Sequence, residues 1–298
     1  MELIVQPTDG SKPILGAIER AKTTLDLAIF RFDLKPVEKA LDAAVKRGVA
    51  VRALIAHINS GGDKRLRQLE LRMLDAGVTV TRTSDDLARY HGKLLIVDRE
   101  ELHVYGFNYT ALDLKSRSLG VVVREKRFVQ EALRLFECDV LRQEFESNFE
   151  GVVVSPENAR EQLATFIKRS KKSLVLWDPK LTDPQMIRLL AQRAKMGVDI
   201  RVIGKVAKKA ANTIRVQKSP MRLHVRAAVR DNTEAFVGSQ SLRALELDGR
   251  RELGILSKDP GVVKGIADLF EADWATTEMG QKEIKVAEKE LALAEVAG

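Results

Sequence analysis

The sequence contains the string His91-Gly92-Lys93-Leu94-Leu95-Ile96-Val97-Asp98 and repeats its pattern as His224-Val225-Arg226-Ala227-Ala228-Val229-Arg230-Asp231. Each string places a basic residue two positions after the histidine and an aspartate at its end. The chain has only 4 histidines, and two of them occupy equivalent places in the two strings. Two copies of one uncommon pattern predict a single site that is built from two halves.

The sequence that precedes each string is duplicated as well. In segment 24–56 an apolar strand is followed by a helix that begins near Pro36 and then by a second apolar strand. Segment 173–205 has the same order, with a helix that begins near Pro184. Proline is favoured in the first turn of a helix, and a strand, a helix and a strand in this order predict parallel strands covered by the helix.

This duplication predicts the domain organisation. We expect a first half at 1–150, a second half at 151–275, and a charged helix or tail at 276–298. Two repeats are too few for a solenoid, so the halves are expected to pack as a pseudo-twofold pair. The first half is expected to contain one extra helix, at about 63–76, opened by Gly61-Gly62.

Composition and charge limit the classes of function. The formal net charge of +8 indicates an anionic partner, and no acidic residue occurs from Arg201 to Arg230. The single cysteine, Cys138, excludes an internal disulfide. Neither a signal peptide nor an apolar run of the roughly 20 residues that span a bilayer is evident, so a cytoplasmic location and no transmembrane segment are expected.

The first string predicts a hairpin that gathers polar side chains. If 91–97 is a strand, His91 and Lys93 share one face, because residues i and i+2 of a strand point to the same side. Folding the chain back at the polar turn after Asp98 places Asn108 opposite His91. An imidazole, an ammonium group and a carboxamide are therefore expected to converge.

The second string predicts the same arrangement with His224, Arg226 and Ser241. Asp98 and Asp231 have the opposite strand parity to their histidines. We expect these two carboxylates to hold the hairpin turns rather than to contact a substrate.

Two imidazoles with two cations suit the chemistry of a phosphodiester. The cations Lys93 and Arg226, with the donors Asn108 and Ser241, can neutralise phosphate oxygens. One imidazole can attack phosphorus, while the other donates a proton to the leaving oxygen and later activates water or an alcohol. Zinc-site spacings, a calcium-binding loop and nucleotide-binding glycine motifs are absent from the sequence, so neither a metal nor a cofactor is expected.

The duplicated histidine strings, with a glycine-containing segment after each, resemble the phospholipase D superfamily over about residues 8–275. The resemblance implies an α/β fold of two pseudo-twofold-related α/β/α sandwich halves, with mixed, largely parallel sheets and a cleft between the halves. It also implies a phosphohistidine intermediate. By this analogy His91 is expected to be the nucleophile and His224 the general acid and base, although the reverse assignment stays open.

The resemblance also assigns orienting residues. Glu252 matches the acidic position expected to orient His224, and Ser118 is its equivalent, expected to orient His91. Arg226 and Ser241 depart from the family's lysine and asparagine. Tyr105 stands where the family often has glycine, and it is expected to crowd the approach to the site.

Three functions agree with these residues. The first is a metal-independent phosphodiesterase of phospholipase D type, a hydrolase or transphosphatidylase acting on phospholipid. The second is a nuclease of the same superfamily, favoured by the basic run. The third is a non-catalytic phosphate- or nucleic-acid-binding module with a degenerate second string. In each case the partner is an anionic phosphodiester, and one chain suffices because it carries both half-sites.

Overall fold

The computed structural model describes residues 1–57, 63–147, 149–207 and 214–297. The side chains of Asp63 and of residues 290–297 are also outside the description. Consequently, two features of the sequence analysis lie outside the described residues. These are the opening of the extra helix at Gly61-Gly62 and the lysines Lys208 and Lys209 of the basic run.

In the described residues of the first half there are eight strands and five helices. In chain order these are β1 (Glu2–Gln6), α1 (Lys12–Arg20), β2 (Thr24–Ile29), α2 (Lys35–Lys46), β3 (Ala50–Ile55), α3 (Asp63–Asp75), β4 (Thr79–Arg82), β5 (Arg89–Tyr90), β6 (Leu94–Val97), β7 (Glu101–Tyr105), α4 (Ala111–Leu114), β8 (Ser118–Val123) and α5 (Lys126–Leu141). The helix α3 is the extra helix expected at about 63–76.

The second half repeats this order with two omissions among the described residues, which show no counterpart of α3 or β5. Its elements are β9 (Val152–Ser155), α6 (Ala159–Lys168), β10 (Ser173–Leu181), α7 (Pro184–Lys195), β11 (Asp199–Val206), β12 (Arg215–Gln217), β13 (Arg226–Arg230), β14 (Glu234–Gly238), α8 (Ala244–Asp248), β15 (Arg250–Ser257), α9 (Pro260–Ala275) and α10 (Glu278–Ala297).

Each half forms one mixed sheet. The first sheet has the strand order β1-β8-β7-β6-β2-β3-β4, and the second has the order β12-β11-β10-β13-β14-β15-β5, with β9 also paired to β15. The duplicated strand–helix–strand units supply the parallel pairs β2–β3 and β10–β11. The string hairpins β6–β7 and β13–β14 are antiparallel. The expected mixed α/β class is therefore confirmed.

Antiparallel pairs are nevertheless more numerous than the sequence analysis expected. In the first sheet, four of the six neighbouring pairs are antiparallel, namely β1–β8, β8–β7, β7–β6 and β6–β2. Each string forms a hairpin with the next strand, and the chain then returns through a short helix, α4 or α8, to a further antiparallel neighbour.

Three clusters of buried apolar residues lie between the layers of the fold. The outer face of the first sheet packs against α1, α2 and α3, and the outer face of the second sheet packs against α6 and α7. Between the sheets, a central core joins both inner faces with α5 and α9. The two sheets and the two central helices thus share one buried interior, which holds the halves at a defined separation.

The halves also exchange backbone pairing at the strings. Strand β5, which directly precedes the first string, pairs with β15 of the second sheet, with Arg89 opposite Arg250. On the other side, Leu223 forms a parallel bridge with Arg117, just before β8. Each histidine therefore lies beside the last strand of the opposite half. This exchange of strand pairing places both histidines between the halves.

The C-terminal segment beyond α9 continues as α10, a helix with a mostly exposed surface among the described side chains. Across the described ranges, no helix has the length and apolar content needed to cross a membrane.

Candidate active site

His91 lies between β5 and β6, immediately after the strand exchange. The sequence analysis placed it inside a strand that began at residue 91, whereas β6 begins at Leu94. The backbone N–H of His91 donates a hydrogen bond to the carbonyl of Arg251 at 2.7 Å. Its ring Nδ1 lies 2.8 Å from Oε2 of Glu252, the next residue of β15. The first imidazole is thus held by the second half of the chain.

This contact corrects the expected role of Glu252. The carboxylate was expected to orient His224, but it is hydrogen-bonded to His91. The reason is topological, since β5 pairs with β15 and brings the first string to the strand that carries Glu252. An orienting residue near one string in sequence therefore serves the histidine of the other string.

Lys93 is a fully buried cation beside His91. Its Nζ atom lies 3.0 Å from both ring nitrogens of the imidazole, and the side chain has no exposed surface. Burial, with the charge of Arg226, lowers the pKa of Lys93 to about 7, although the charge of Glu252 opposes the shift. This ammonium group is poised to lose its proton unless an anion is bound.

His224 has the equivalent backbone anchor in the opposite half. Its N–H donates to the carbonyl of Arg117 at 2.9 Å, and the Ser118 hydroxyl donates to the His224 carbonyl at 2.9 Å. Ser118 was expected to orient His91, and this expectation is wrong because Ser118 lies on β8, which meets the second string. Its hydrogen bond fixes the backbone of His224 rather than an imidazole ring.

The carboxylate beside the second imidazole is Asp113, which the sequence analysis missed. Its Oδ2 lies 3.4 Å from Nδ1 of His224 and accepts hydrogen bonds from the backbone N–H and the Nδ2 of Asn108. Burial alone would raise the pKa of Asp113, but His224 and the Asn108 donors lower it overall. Asp113 is therefore held as an anion next to His224.

Glu246 is the counterpart of Asp113 and was also missed. It accepts a hydrogen bond from the backbone N–H of Ser241 at 2.9 Å, as Asp113 does from Asn108. A signal existed in the sequence, because each carboxylate follows its Asn or Ser by five residues. Asn108 and Ser241 were expected to bind phosphate, and the structure shows both engaged in buried turns.

Arg226 takes the place that Lys93 has in the first string. Its Nε donates to Oγ of Ser241 at 3.3 Å, and its NH1 donates to the carbonyl of His224 at 3.2 Å. The planar guanidinium thereby bridges the side chain of Ser241 and the backbone of His224. Its remaining N–H groups leave it able to serve an anion.

The surroundings of both imidazoles disfavour their protonated forms. Burial lowers the pKa of both imidazoles, strongly in each case, and the charges of Lys93 and Arg226 lower both further. Burial raises the pKa of Glu252. Two imidazoles and two cations therefore share one electrostatic field, in which protonating a histidine is costly until a negative charge enters. An anionic ligand would supply that charge.

Asp98 and Asp231 lie at the hairpin turns, where both have positive φ, of 51° and 52°. Asp98 accepts from the backbone N–H groups of residues 22–24, and Asp231 accepts from those of residues 171–173. Each carboxylate thus ties its turn to the start of the neighbouring antiparallel strand, β2 or β10.

Tyr105 faces away from the site. Its side chain is fully buried in the outer core of the first half, where its hydroxyl lies 3.0 Å from Nδ1 of His103. Strand parity explains the correction, since Val104, its neighbour, faces the central core instead. Tyr105 does not crowd the approach to the histidines.

Two observations bear on what the site could hold. Among the buried side-chain atoms without a hydrogen-bond partner are Nδ1 of His224, Oδ1 of Asn108 and Oε1 of Glu252. In the described ranges, His, Cys, Asp and Glu side chains form no group of three that could hold a metal ion. The arrangement can attack, neutralise and protonate a phosphoryl group with its own side chains.

Comparison with known proteins identifies the family of the chain. A family model described as "Cardiolipin synthase, PLD-like domain" matches residues 14–140 and 163–274, which is more than half of the chain. A phospholipase D of Rickettsia felis is 28% identical over 127 residues, which are 42% of this chain and 61% of that protein. The match therefore spans about three fifths of the length of this relative.

Solved structures share the fold at lower identity. A phosphatidylserine synthase of Haemophilus influenzae aligns with a TM-score of 0.69 at 12% identity, over 99% of this chain and 94% of its own. A polyphosphate kinase of Porphyromonas gingivalis aligns with a TM-score of 0.76 at 20% identity, over 91% of this chain and 46% of its own.

The family match covers both strings and both strand–helix–strand units, so it includes the site residues described above. The chain belongs to the phospholipase D superfamily, in the family of the PLD-like domain of cardiolipin synthase.

Proposed function

We propose that the protein is a phosphodiesterase of phospholipase D type, which acts without a metal and through a phosphohistidine intermediate. The observation that carries this proposal is the reciprocal anchoring of two buried histidines. Each of them donates its backbone N–H to the last strand of the opposite half, and each has a carboxylate beside its ring. This arrangement puts two imidazoles into one cationic field.

His91 is assigned as the nucleophile. Glu252 accepts the Nδ1 proton of His91, which leaves the lone pair on Nε2 to attack phosphorus. Lys93 lies 3.0 Å from Nε2, where its ammonium group can neutralise the oxygens of a phosphoryl group on that nitrogen. Attack forms a phosphorus–nitrogen bond and breaks the bond between phosphorus and the leaving oxygen.

His224 is assigned as the general acid and base. Asp113 stays ionised beside it and favours the protonated ring once phosphate offsets the nearby cations. His224 gives its proton to the leaving oxygen and then takes one from water or an alcohol that attacks phosphorus. This second attack breaks the phosphorus–nitrogen bond and frees His91, so hydrolysis and transfer share one intermediate.

The first substrate class we propose is a phospholipid, in keeping with the names of the matching family and of the phospholipase D relative. A nuclease is the second candidate. The observation that favours it is a group of arginines beside the site, namely Arg89, Arg222, Arg243 and Arg250. Both half-sites lie in one chain, so we propose that a monomer suffices.

Hydrolysis of bis(4-nitrophenyl) phosphate with excess chelator tests the reaction. Turnover in chelator that is lost in His91→Asn supports the proposal, whereas activity that requires added metal contradicts it. Parallel assays with phosphatidylglycerol micelles and with plasmid DNA then separate the two substrate classes. Binding of phosphodiesters with no turnover of any of them would indicate the non-catalytic alternative.

A further inference from the structure

An arginine lies two positions before each histidine of the site. The two arginines have different surroundings. Arg222, before His224, donates through NH1 to Oδ1 of Asp113 at 3.0 Å and to Oγ of Ser116 at 2.6 Å. A carboxylate therefore already neutralises the arginine of the second string.

Arg89 holds the equivalent position before His91. The carboxylate that would correspond to Asp113 is already paired with another arginine. Glu246, the counterpart of Asp113, is paired with NH1 of Arg250 at 3.3 Å. Arg250 stands where the other half has Ser116, and it is the strand partner of Arg89. In the part of the chain that the structure describes, Arg89 has no ion pair with an acid.

Packing holds the half-buried Arg89 next to the reacting histidine. Its guanidinium group lies over the ring of Phe30, 4.9 Å from the ring centroid. The same ring contacts His91 edge-on, with the two centroids 4.9 Å apart. Arg89 is thus one aromatic ring away from the imidazole that we assign as the nucleophile.

The pairing of Arg89 with Arg250 has a cost that a ligand would relieve. Burial lowers the pKa of Arg89 and the charge of Arg250 lowers it further, against the opposing charges of Glu252 and Glu246. Arg250 is itself close to two carboxylates, at 3.3 Å from Glu246 and 3.7 Å from Glu252, so Arg89 is the arginine of this pair that a phosphate would engage first. A phosphate accepts several hydrogen bonds from arginine at once.

We propose that Arg89, supported by Arg250, binds a second phosphate of the substrate, next to the phosphodiester that is cleaved. The inference rests on the proposed function and deepens it. It assigns to the protein substrates that carry two phosphates close together, in preference to an isolated phosphodiester.

The test compares substrates that differ only in the second phosphate. Thymidine 5′-(4-nitrophenyl phosphate) is measured against its 3′-phosphorylated form, and the regioisomeric pair is measured as well. For wild-type protein we expect kcat/KM to be about tenfold higher or more with the second phosphate, because a hydrogen bond to a charged group has that order of effect. The preference should fall to within about twofold in Arg89→Ala and be intermediate in Arg89→Lys.

Arg127→Ala is the matched control. Arg127 lies over the ring of Phe149, 4.8 Å from its centroid, on the exposed surface of α5, away from the strings. This variant should keep the wild-type preference, and its melting temperature reports what loss of such a stacked arginine does to stability. A wild-type protein without preference in either pair, or an Arg89→Ala protein that retains the preference, would overturn the inference.

Binding separates this inference from the proposed function. If neither thymidine substrate nor bis(4-nitrophenyl) phosphate nor phosphatidylglycerol is turned over, the proposed function fails, and calorimetry with thymidine 3′,5′-bisphosphate and thymidine 5′-phosphate still tests the second phosphate site. The bisphosphate should bind about tenfold more tightly, and Arg89→Ala should remove the difference. Equal affinities in wild-type protein would overturn the inference. The source of the phosphate is tested with micelles of phosphatidylglycerol against phosphatidylglycerophosphate.

Discussion

The two imidazoles of the site occupy matching places in the frame but different electrostatic surroundings. His91 has a carboxylate oxygen at 2.8 Å and an ammonium nitrogen at 3.0 Å, whereas His224 has a carboxylate at 3.4 Å and an Nδ1 atom without a hydrogen-bond partner. The two halves share the backbone hydrogen bond that anchors each histidine, but they differ in the side chains that contact the rings. A symmetrical frame here carries two different roles.

The asymmetry originates in the last strand of each half. Glu252 and Ser118 each follow the residue whose carbonyl anchors a histidine, so they are equivalent positions on β15 and β8. The glutamate reaches a ring, but the serine reaches only a backbone carbonyl. One substitution at this position is enough to make the two histidines unequal.

The largest expected effect comes from removing either imidazole. His91→Asn and His224→Asn should each lower kcat by about 10³–10⁴-fold, because both act on the reacting atoms. Their intermediates should differ. With a 4-nitrophenyl diester, whose leaving group needs no acid, His224→Asn protein that is quenched with alkaline denaturant should hold a phosphohistidine, and His91→Asn should hold none.

Mass spectrometry of the quenched protein locates the phosphoryl group. A phosphoryl group on His224 in the His91→Asn variant would reverse the assigned roles and leave the comparison of the halves intact. Wild-type activity in both variants would show that the two histidines do not form the active site.

A smaller effect should follow from exchanging the orienting carboxylate. Glu252→Gln should lower kcat by about 10²-fold, because it replaces a charged hydrogen bond to the nucleophile with a neutral one. Ser118→Ala, at the equivalent position, should change kcat by no more than about threefold, because its hydroxyl contacts only backbone. Steady-state kinetics measure both, and equal losses in the two variants would contradict the asymmetry.

The pH profile should report Lys93. In the free protein its pKa is about 7, so kcat/KM should fall as pH rises through about 7 and the ammonium loses its proton. Bound phosphate favours the charged form, so the fall in kcat should lie at higher pH. Rates between pH 5 and 9 test this, and Lys93→Arg, which keeps its charge, should lack the step.

Lys93 has a matching effect on stability. Its pKa in the folded protein lies below the ordinary value of 10.5, so between these two pH values the unfolded chain binds more protons. Its contribution to the free energy of unfolding therefore rises with pH from about 7 and is lost as pH falls through about 7. A denaturation series of wild-type protein and Lys93→Met should show this dependence only in the wild type.

The smallest expected effect on activity is at the hairpin turns, where the halves are alike. Asp98→Asn and Asp231→Asn should each lower the free energy of unfolding by about 1–2 kcal/mol, because each weakens hydrogen bonds to three backbone N–H groups. Asparagine tolerates the positive φ, so strain is not added. Urea denaturation should give similar losses in both, with kcat near wild type.

Much of the frame could be predicted from local patterns. The duplicated strand–helix–strand units were predicted near Pro36 and Pro184, and the helices observed there begin at Lys35 and Pro184. Apolar periodicity and proline placement report on contacts between near neighbours in sequence, so they are readable without tertiary structure. The number of antiparallel pairs was underestimated because the meander after each string was not followed to β8 and β15.

The site was less predictable than the frame. The residue types were foreseen, but Glu252 and Ser118 were assigned to the wrong histidines. Each residue was matched to the histidine of its own half. The strand exchange instead brings each residue next to the histidine of the opposite half. Asp113 and Glu246 were missed, although their equal spacing after Asn108 and Ser241 was visible.

By itself the sequence specified the duplication, the paired histidines and the cationic character of the site, since these depend on residue identity and spacing. Only the tertiary structure decided which carboxylate meets which imidazole, and it also showed that Arg222 is paired with Asp113, whereas Arg89 forms no ion pair with an acid within the described ranges. The reason is that such pairs join residues more than a hundred positions apart, through the register of β5 on β15 and of Leu223 beside β8. Spacing along the chain does not encode that register.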